Sequence, residues 1–252
     1  MELLNQWLLA IDEAGLRQDL YGTINSIGSY VAILFGLFHG LRLKVKWWVV
    51  VLAILIERLL SGPLVSAILF VENGFAPADW ANAVVMFPTV PVTGFLIAKL
   101  TRRTYKEIWD VVIPVPLVMF VFARIACTAA GCCAGYECSW GVYDGGEDCI
   151  RFPVQLLQGL ATVLILVAML YREKKNGFVP DGRNMPFLLI SYGVSRFFLE
   201  FLQDNEKVFL GCSTTNFYCI AMILVGLRCL QIIKRSENLA KEAPNAPLYI
   251  NK

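Results

Sequence analysis

Tyr192, Arg196 and Glu200 follow one another at intervals of four inside the apolar run 186–203. On a helix that spacing stacks all three on one face. The rest of the run is aromatic and aliphatic, so the polar stripe must face the protein interior. Ionisable groups inside such runs are costly and usually functional. Arginine offers a planar fork of N–H donors that matches phosphate, and it stays charged when buried. The alternative is an Arg196–Glu200 pair that only neutralises itself, since buried pairs also serve as structural elements. Arg124, in the run 111–131, supplies a second guanidinium that could complete a two-arginine clamp for an anion. Glu57 and Arg58 lie mid-run just before Gly62-Pro63. The single histidine, His39, falls near the end of its run. There it reads as an interfacial residue whose polar tip snorkels to water.

Small residues dominate from Ala126 to Gly135. They allow close helix approach and equally leave room for a ligand. Cysteines crowd the same stretch: Cys127, Cys132 and Cys133, then Cys138, Cys149 and Cys212. Disulfides Cys138–Cys149 and Cys212 with Cys132 or Cys133 are plausible outside the cytoplasm. Zinc is the rival reading, but it lacks a nearby histidine and needs a set geometry. The expectation is therefore disulfide or free thiol and no metal. Buried cysteines can also be mere packing residues. A catalytic or lipid-carrying cysteine would need a positive neighbour, and Arg124 is the candidate.

The elements that must position these residues are long apolar helices. Hydrophobic residues make up 57% of the 252-residue chain and charged residues 17%. Soluble domains have roughly 45–50% and about 25%. A span needs roughly 20 mainly apolar residues. Runs near 24–41, 47–71, 83–100, 111–131, 153–171, 186–203 and 214–233 qualify, the third interrupted by Pro88 and Pro91. The fold class expected is all-α, a polytopic membrane protein of about seven spans. Lys and Arg collect after the first, third, fifth and seventh runs, for example at Arg42, Arg103, Arg172 and Lys234. The other connectors carry Asp and Glu, with Arg17, Arg151 and Lys207 as the basic exceptions. Basic loops mark the cytoplasmic side, which puts the N-terminus outside and the C-terminus inside. Leu3, Leu4, Trp7, Leu8 and Ile11 share one helical face beside acidic Glu2, Asp12 and Glu13. That pattern predicts an amphipathic helix on the outer surface rather than a signal peptide. The organisation expected is a surface segment 1–23, a membrane domain 24–235 and a cytoplasmic tail 236–252.

The second half resembles the prolipoprotein diacylglyceryl transferase family of bacterial membrane enzymes. Tyr192 through Phe201 match the family's Tyr-Gly-x-x-Arg-Phe-x-x-Glu-Phe stretch in full. Ala123-Arg124-Ile125-Ala126-Cys127 and Gly131-Cys132-Cys133-Ala134-Gly135 occupy the place of its Gly-Arg-x-Gly-Asn stretch and Gly-rich turn. Pro153-Val154-Gln155-Leu156-Leu157-Gln158 is similar to its Pro-x-Gln-Leu-Tyr-Glu opening of the fifth span, and Thr215-Asn216 echoes a Gly-Gln pair. The resemblance implies transfer of a diacylglyceryl group from phosphatidylglycerol, or a related anionic phospholipid, to the lipobox cysteine of a prolipoprotein. It implies a bacterial cell membrane location, no metal or organic cofactor, and no nucleic-acid partner. Arg124, Arg196 and Glu200 take the catalytic places. Tyr192, Arg124, Gly131, Gly135, Gln155 and Asn216 take the substrate-binding ones.

Some positions depart from the family pattern. Its third span carries His-Gly-Gly, where this chain has Met86-Phe87-Pro88-Thr89-Val90-Pro91. Cys127 and Cys132 stand where the family has Asn and Glu, and Leu157-Gln158 replace Tyr-Glu. The anion clamp is kept while the proton-handling histidine is not. A lipid transferase, a non-catalytic homologue that binds anionic lipid or a lipoprotein partner, and an unrelated transporter are the three readings. No inverted repeat supports the last.

Overall fold

A cap, a proline and a glycine set some of the helix ends around the site. The computed structural model describes residues 1–56, 59, 86–144 and 149–242. Glu57, Arg58 and Gly62-Pro63 lie outside the described residues, as do the side chains of 86–90 and residues 243–252 of the expected tail. Helix α1 spans Glu2–Glu13 and α2 spans Arg17–Arg42. A short helix, α3, covers Trp47–Ile56. Next come α4 (Met86–Thr101), α5 (Tyr105–Val112) and α6 (Pro114–Ala130). Thr104 caps α5 by accepting from the Glu107 N–H at 3.3 Å, a serviceable N-terminal signal. Pro114 then opens α6 at a position where its missing N–H costs nothing. Strands β1 (Glu137–Asp144) and β2 (Cys149–Arg151) precede α7 (Val154–Lys175), α8 (Asn184–Glu200) and α9 (Thr214–Glu242).

The helical membrane fold stands in its coarser form, with one correction. The chain is not purely helical, because β1 and β2 pair antiparallel with Tyr143 opposite Ile150 and Asp144 opposite Cys149. Glu137 and Val142 both oppose Arg151 across a bulge. Trp140, Val142, Tyr143 and Ile150 favour a pleated surface over a helix, and the ladder satisfies backbone groups that the connector would otherwise leave open. Of seven expected spans, four segments are long and apolar enough among the described residues: α2, α5 with α6 (Tyr105–Ala130), α7, and Thr214–Leu239 of α9. Helices α4 and α8 have 16 and 17 residues, somewhat under the roughly 20 of a full crossing.

Small residues let the helices meet. Gly28, Ala32, Gly36 and Gly40 form a stripe along α2. A Cβ at Gly28 would strike Phe122, and one at Gly36 would strike Val115 of α6. Gly193 of α8 packs on Ile223, and Gly226 of α9 on Leu189 and Ile190. Such close approach is how helices associate where lipid removes the hydrophobic drive. The main core joins Trp109, Leu117, Met169, Leu188, Tyr192 and Met222 from α5 to α9. Outside it, Leu34, Phe38, Leu160, Leu164, Phe198 and Leu224 stay exposed, an apolar exterior suited to lipid rather than water.

The bundle has a polar end and, opposite it, a second one. His39 was expected at an interface, but it is 2% exposed. Its Nε2 lies 3.2 Å from the Asp110 carbonyl and 3.3 Å from the Glu173 carboxylate. Asp110 accepts from the backbone N–H groups of Asp181, Gly182 and Asn184 at 2.7, 2.7 and 3.1 Å. Asn184 also meets Glu173 and Arg172. The reason is architectural. The end of α2 is covered by the α7–α8 turn, so the imidazole meets buried acceptors in place of water.

Candidate active site

The other end gathers the finish of α6 and α8 and the start of α2, α7 and α9. Tyr192, Arg196 and Glu200 do share one inward face of α8. Arg196 is 5% exposed and Glu200 fully buried. The two form an ion pair, with Arg196 Nη2 2.8 Å from Glu200 Oε2. The same nitrogen donates to Gln203 Oε1 at 2.9 Å. Glu200 Oε1 accepts from Ser213 Oγ and from Asn205 Nδ2, each at 2.6 Å. The carboxylate therefore anchors the loop 201–213 as well as the guanidinium. Gln158 of α7 reaches Gln203 Oε1 at 3.5 Å.

Arg124 comes to the same site from α6 and is 7% exposed. Its guanidinium lies over the Phe120 ring, 4.4 Å from the centroid, and against the Tyr192 hydroxyl. Among the described residues no acceptor meets Nε of Arg124, nor Nε and Nη1 of Arg196. Buried donors without partners are rare, and for charged groups they cost more than for neutral ones. Charge-assisted N–H donors of this kind are suited to an anion.

The turn after α6 explains the other predicted residues. Gly131 ends the helix at φ +72°, in the left-handed region. The Cys132 N–H then bonds back to the Cys127 carbonyl at 3.1 Å, the six-to-one bond that closes such helix ends. A Cβ on Gly131 would strike the Arg17 guanidinium. Arg17 itself pairs with Asp12 at 2.5 Å. Gln155 donates to the Cys132 carbonyl at 2.8 Å, so it holds the turn. Gly135 bridges to Gln203 and lies so close that a Cβ would fall 2.6 Å from the Leu202 carbonyl. Asn216 accepts from Ser213 N–H at 2.9 Å and donates to the Phe197 carbonyl at 3.0 Å. It fixes the start of α9 against the end of α8. The structure thus brings all eight predicted residues to one end, but Gln155 and Asn216 present hydrogen bonds to the backbone. Gln203, Ser213 and Asn205 were not anticipated. Gln203 had a signal, since it continues the Arg196–Glu200 face three residues further on.

Of the two arms of the cysteine expectation, disulfide or free thiol, the structure has the second. Neither Cys138–Cys149 nor any Cys212 bridge is formed, and all eight cysteines are free. Cys138 instead turns its thiol to the Trp140 carbonyl at 2.6 Å inside the β-bulge. The turn at Gly131 gathers Cys127, Cys132 and Cys133, with their sulfurs all within 4.8 Å of one another. Hydrogen bonds from Cys127 and Cys132 draw the Cys133 thiol below its usual pKa, and Arg124 and Arg196 act in the same direction.

Comparison with known proteins converges on the resemblance carried by α8. A family model described as prolipoprotein diacylglyceryl transferase matches residues 87–232. A Clostridium perfringens protein named phosphatidylglycerol–prolipoprotein diacylglyceryl transferase 2 is 26% identical over 158 residues, 59% of this chain and 61% of its own length. An Idiomarina loihiensis phosphatidylglycerol–prolipoprotein diacylglyceryl transferase is 30% identical over 143 residues, 53% of this chain and 52% of its own. A Clostridium tetani protein of that name is 24% identical over 188 residues, 69% of this chain and 75% of its own. The chain therefore spans between about half and three quarters of these relatives' lengths.

Proposed function

The chain belongs to the prolipoprotein diacylglyceryl transferase family, and from that premise we propose that it moves the diacylglyceryl group of phosphatidylglycerol onto the cysteine thiol of a prolipoprotein. The observation that carries the reading is the pair of buried guanidiniums with open N–H groups, Arg124 and Arg196. The phosphate of an anionic lipid satisfies those donors. As the acceptor sulfur attacks the glycerol carbon, the C–O bond to phosphate breaks and its electron pair leaves with glycerol phosphate. Negative charge grows on that phosphate, and fixed guanidiniums stabilise it without reorganising. Glu200 holds Arg196 in place from the opposite side, and Tyr192 lies beside Arg124 where a head group would reach. Gly131 and Gly135 shape the turn that closes the site.

In this reading the chain is a multi-pass protein of the bacterial cell membrane with seven spans. Its N-terminal segment 1–23 is outside, its membrane domain covers 24–235, and its tail 236–252 is in the cytoplasm. The basic loops support that orientation. The site then faces the outer leaflet, where exported prolipoproteins emerge. Purified chain mixed with labelled phosphatidylglycerol and a lipobox peptide tests it. The expected result is equimolar lipid-modified peptide and glycerol phosphate, with none from a peptide whose cysteine is serine. Saturable binding of the anionic lipid with no transfer would instead support a non-catalytic homologue.

A further inference from the structure

The acceptor thiol must lose its proton before it attacks, because the thiolate is the nucleophile. No histidine can take it at this end of the bundle. The chain's single histidine, His39, is buried at the other end against Asp110 and Glu173. What does stand beside the arginines is the cluster of Cys127, Cys132 and Cys133. Cys127 lies three residues after Arg124, on the same face of α6. The left-handed Gly131 folds Cys132 back over Cys127. Cys133 is itself held at φ +60°, a left-handed conformation that non-glycine residues rarely adopt. Strain of this kind persists where something over-determines it.

We propose that Cys127, Cys132 and Cys133 form a three-thiolate zinc site whose fourth position takes the acceptor cysteine of the substrate peptide. The inference rests on the transferase reading above. Zinc–thiolate bonds of about 2.3 Å put sulfurs roughly 3.8 Å apart in a tetrahedral site. The three sulfurs, all within 4.8 Å of one another, need to close by no more than about 1 Å to meet that. Cys127 is buried, Cys132 partly buried and Cys133 exposed. The cluster is therefore closed on the protein side and open on the other, where a fourth ligand enters. Three protein ligands with one open position is the arrangement zinc adopts when it acts on a substrate.

The charges and protons balance. Zinc binding releases three thiol protons to water and leaves a net charge of −1. The acceptor thiol displaces a water and releases its own proton to solvent, because a coordinated thiol is deprotonated outright. Arg124 and Arg196 lie alongside to offset the accumulated negative charge before the lipid phosphate arrives. The acceptor sulfur then forms its bond to the glycerol carbon as the C–O bond to phosphate breaks. The product thioether is neutral, binds zinc weakly and leaves. The metal thus does the work that a base would do elsewhere.

The test uses full-length chain purified in detergent under a phosphine reductant and loaded with cobalt as the probe. One bound cobalt with thiolate charge-transfer absorption is expected. That absorption should rise by roughly one third with a lipobox peptide, as three sulfur ligands become four, and stay unchanged with a serine peptide. Cys127→Ser, Cys132→Ser and Cys133→Ser should each lose it, while Cys138→Ser keeps it. Wild-type chain gives a check that needs no variant: zinc should shield three of the eight thiols from maleimide. Metal-stripped chain should transfer lipid about 10²-fold more slowly, the scale of a lost general base. Absent charge transfer, a spectrum indifferent to the cysteine peptide, or unaltered maleimide labelling would each overturn the site. Full transfer by stripped chain would overturn the site and leave the transferase reading standing. A peptide-dependent spectrum without any transfer would keep the site and overturn the transferase reading.

Discussion

Arg196 is held from two sides, by Glu200 one turn along its own helix and by Gln203 just past the helix end. Its Nε and Nη1 are left without an acceptor among the described residues. Removing Glu200 strands the guanidinium and also frees Ser213 and Asn205. Losing one partner of a buried pair costs roughly 3–5 kcal/mol. Glu200→Ala should therefore lower the unfolding free energy in detergent by that amount, read from a lower midpoint, and abolish transfer. Unchanged stability would show that the pair is not closed in the membrane. The α8 stripe was fully legible in the sequence, because a period of four needs no tertiary information. Gln203, Ser213 and Asn205 were not, because they meet Glu200 and Arg196 only through the path of the loop 201–213. His39 was misread for a related reason. Its distance along the helix was visible, but the turn that buries it comes from residues far away in the chain.

At the scale of elements, the site depends on how tightly three connectors pack. The turn after α6, hairpin β1–β2 and the loop 201–213 are joined at Gly135 and Arg151. Arg151 donates to Asp204 at 2.8 Å and to the Gly135 carbonyl at 3.2 Å. Gly135→Ala would push a methyl into the Leu202 carbonyl and Phe152. Overpacking of that kind costs about 1–3 kcal/mol. The expected outcome is a lower unfolding midpoint together with a loss of transfer. Full activity at unchanged stability would mean the connectors do not hold the clamp. The apolar runs located the long helices, but the hairpin was missed. Its alternation is interrupted by Gly141 and by the bulge opposite Arg151, so no clean period of two shows in the sequence. Of disulfide or free thiol, the structure has free thiols, because spacing and location alone do not bring sulfurs together. The helix-ending geometry at Gly131 does, and it selects a different trio.

Across the whole molecule, the two polar ends carry different tasks. The site end has open donors. The opposite end is built around Asp110, which accepts three backbone N–H groups. Asp110→Ala should cost about 1–3 kcal/mol for each donor that stays buried, read as a lower unfolding midpoint. Affinity for phosphatidylglycerol below that midpoint should not change, because effects at well-separated sites add independently. Weakened lipid binding at full stability would couple the two ends and contradict this division. Composition made the membrane class visible, since an apolar exterior is what a lipid solvent selects. Its division into spans is less visible, because hydropathy does not report where α4 and α8 stop.

The transfer rate of an Arg196→Ala variant, relative to wild-type chain in the same membrane preparation, bears most directly on the clamp. The account predicts correctly inserted protein that transfers about 10²–10³-fold more slowly, as when one preorganised donor to a developing anion is removed. Undiminished transfer by Arg196→Ala would contradict it, because the lipid phosphate would then have to be held elsewhere.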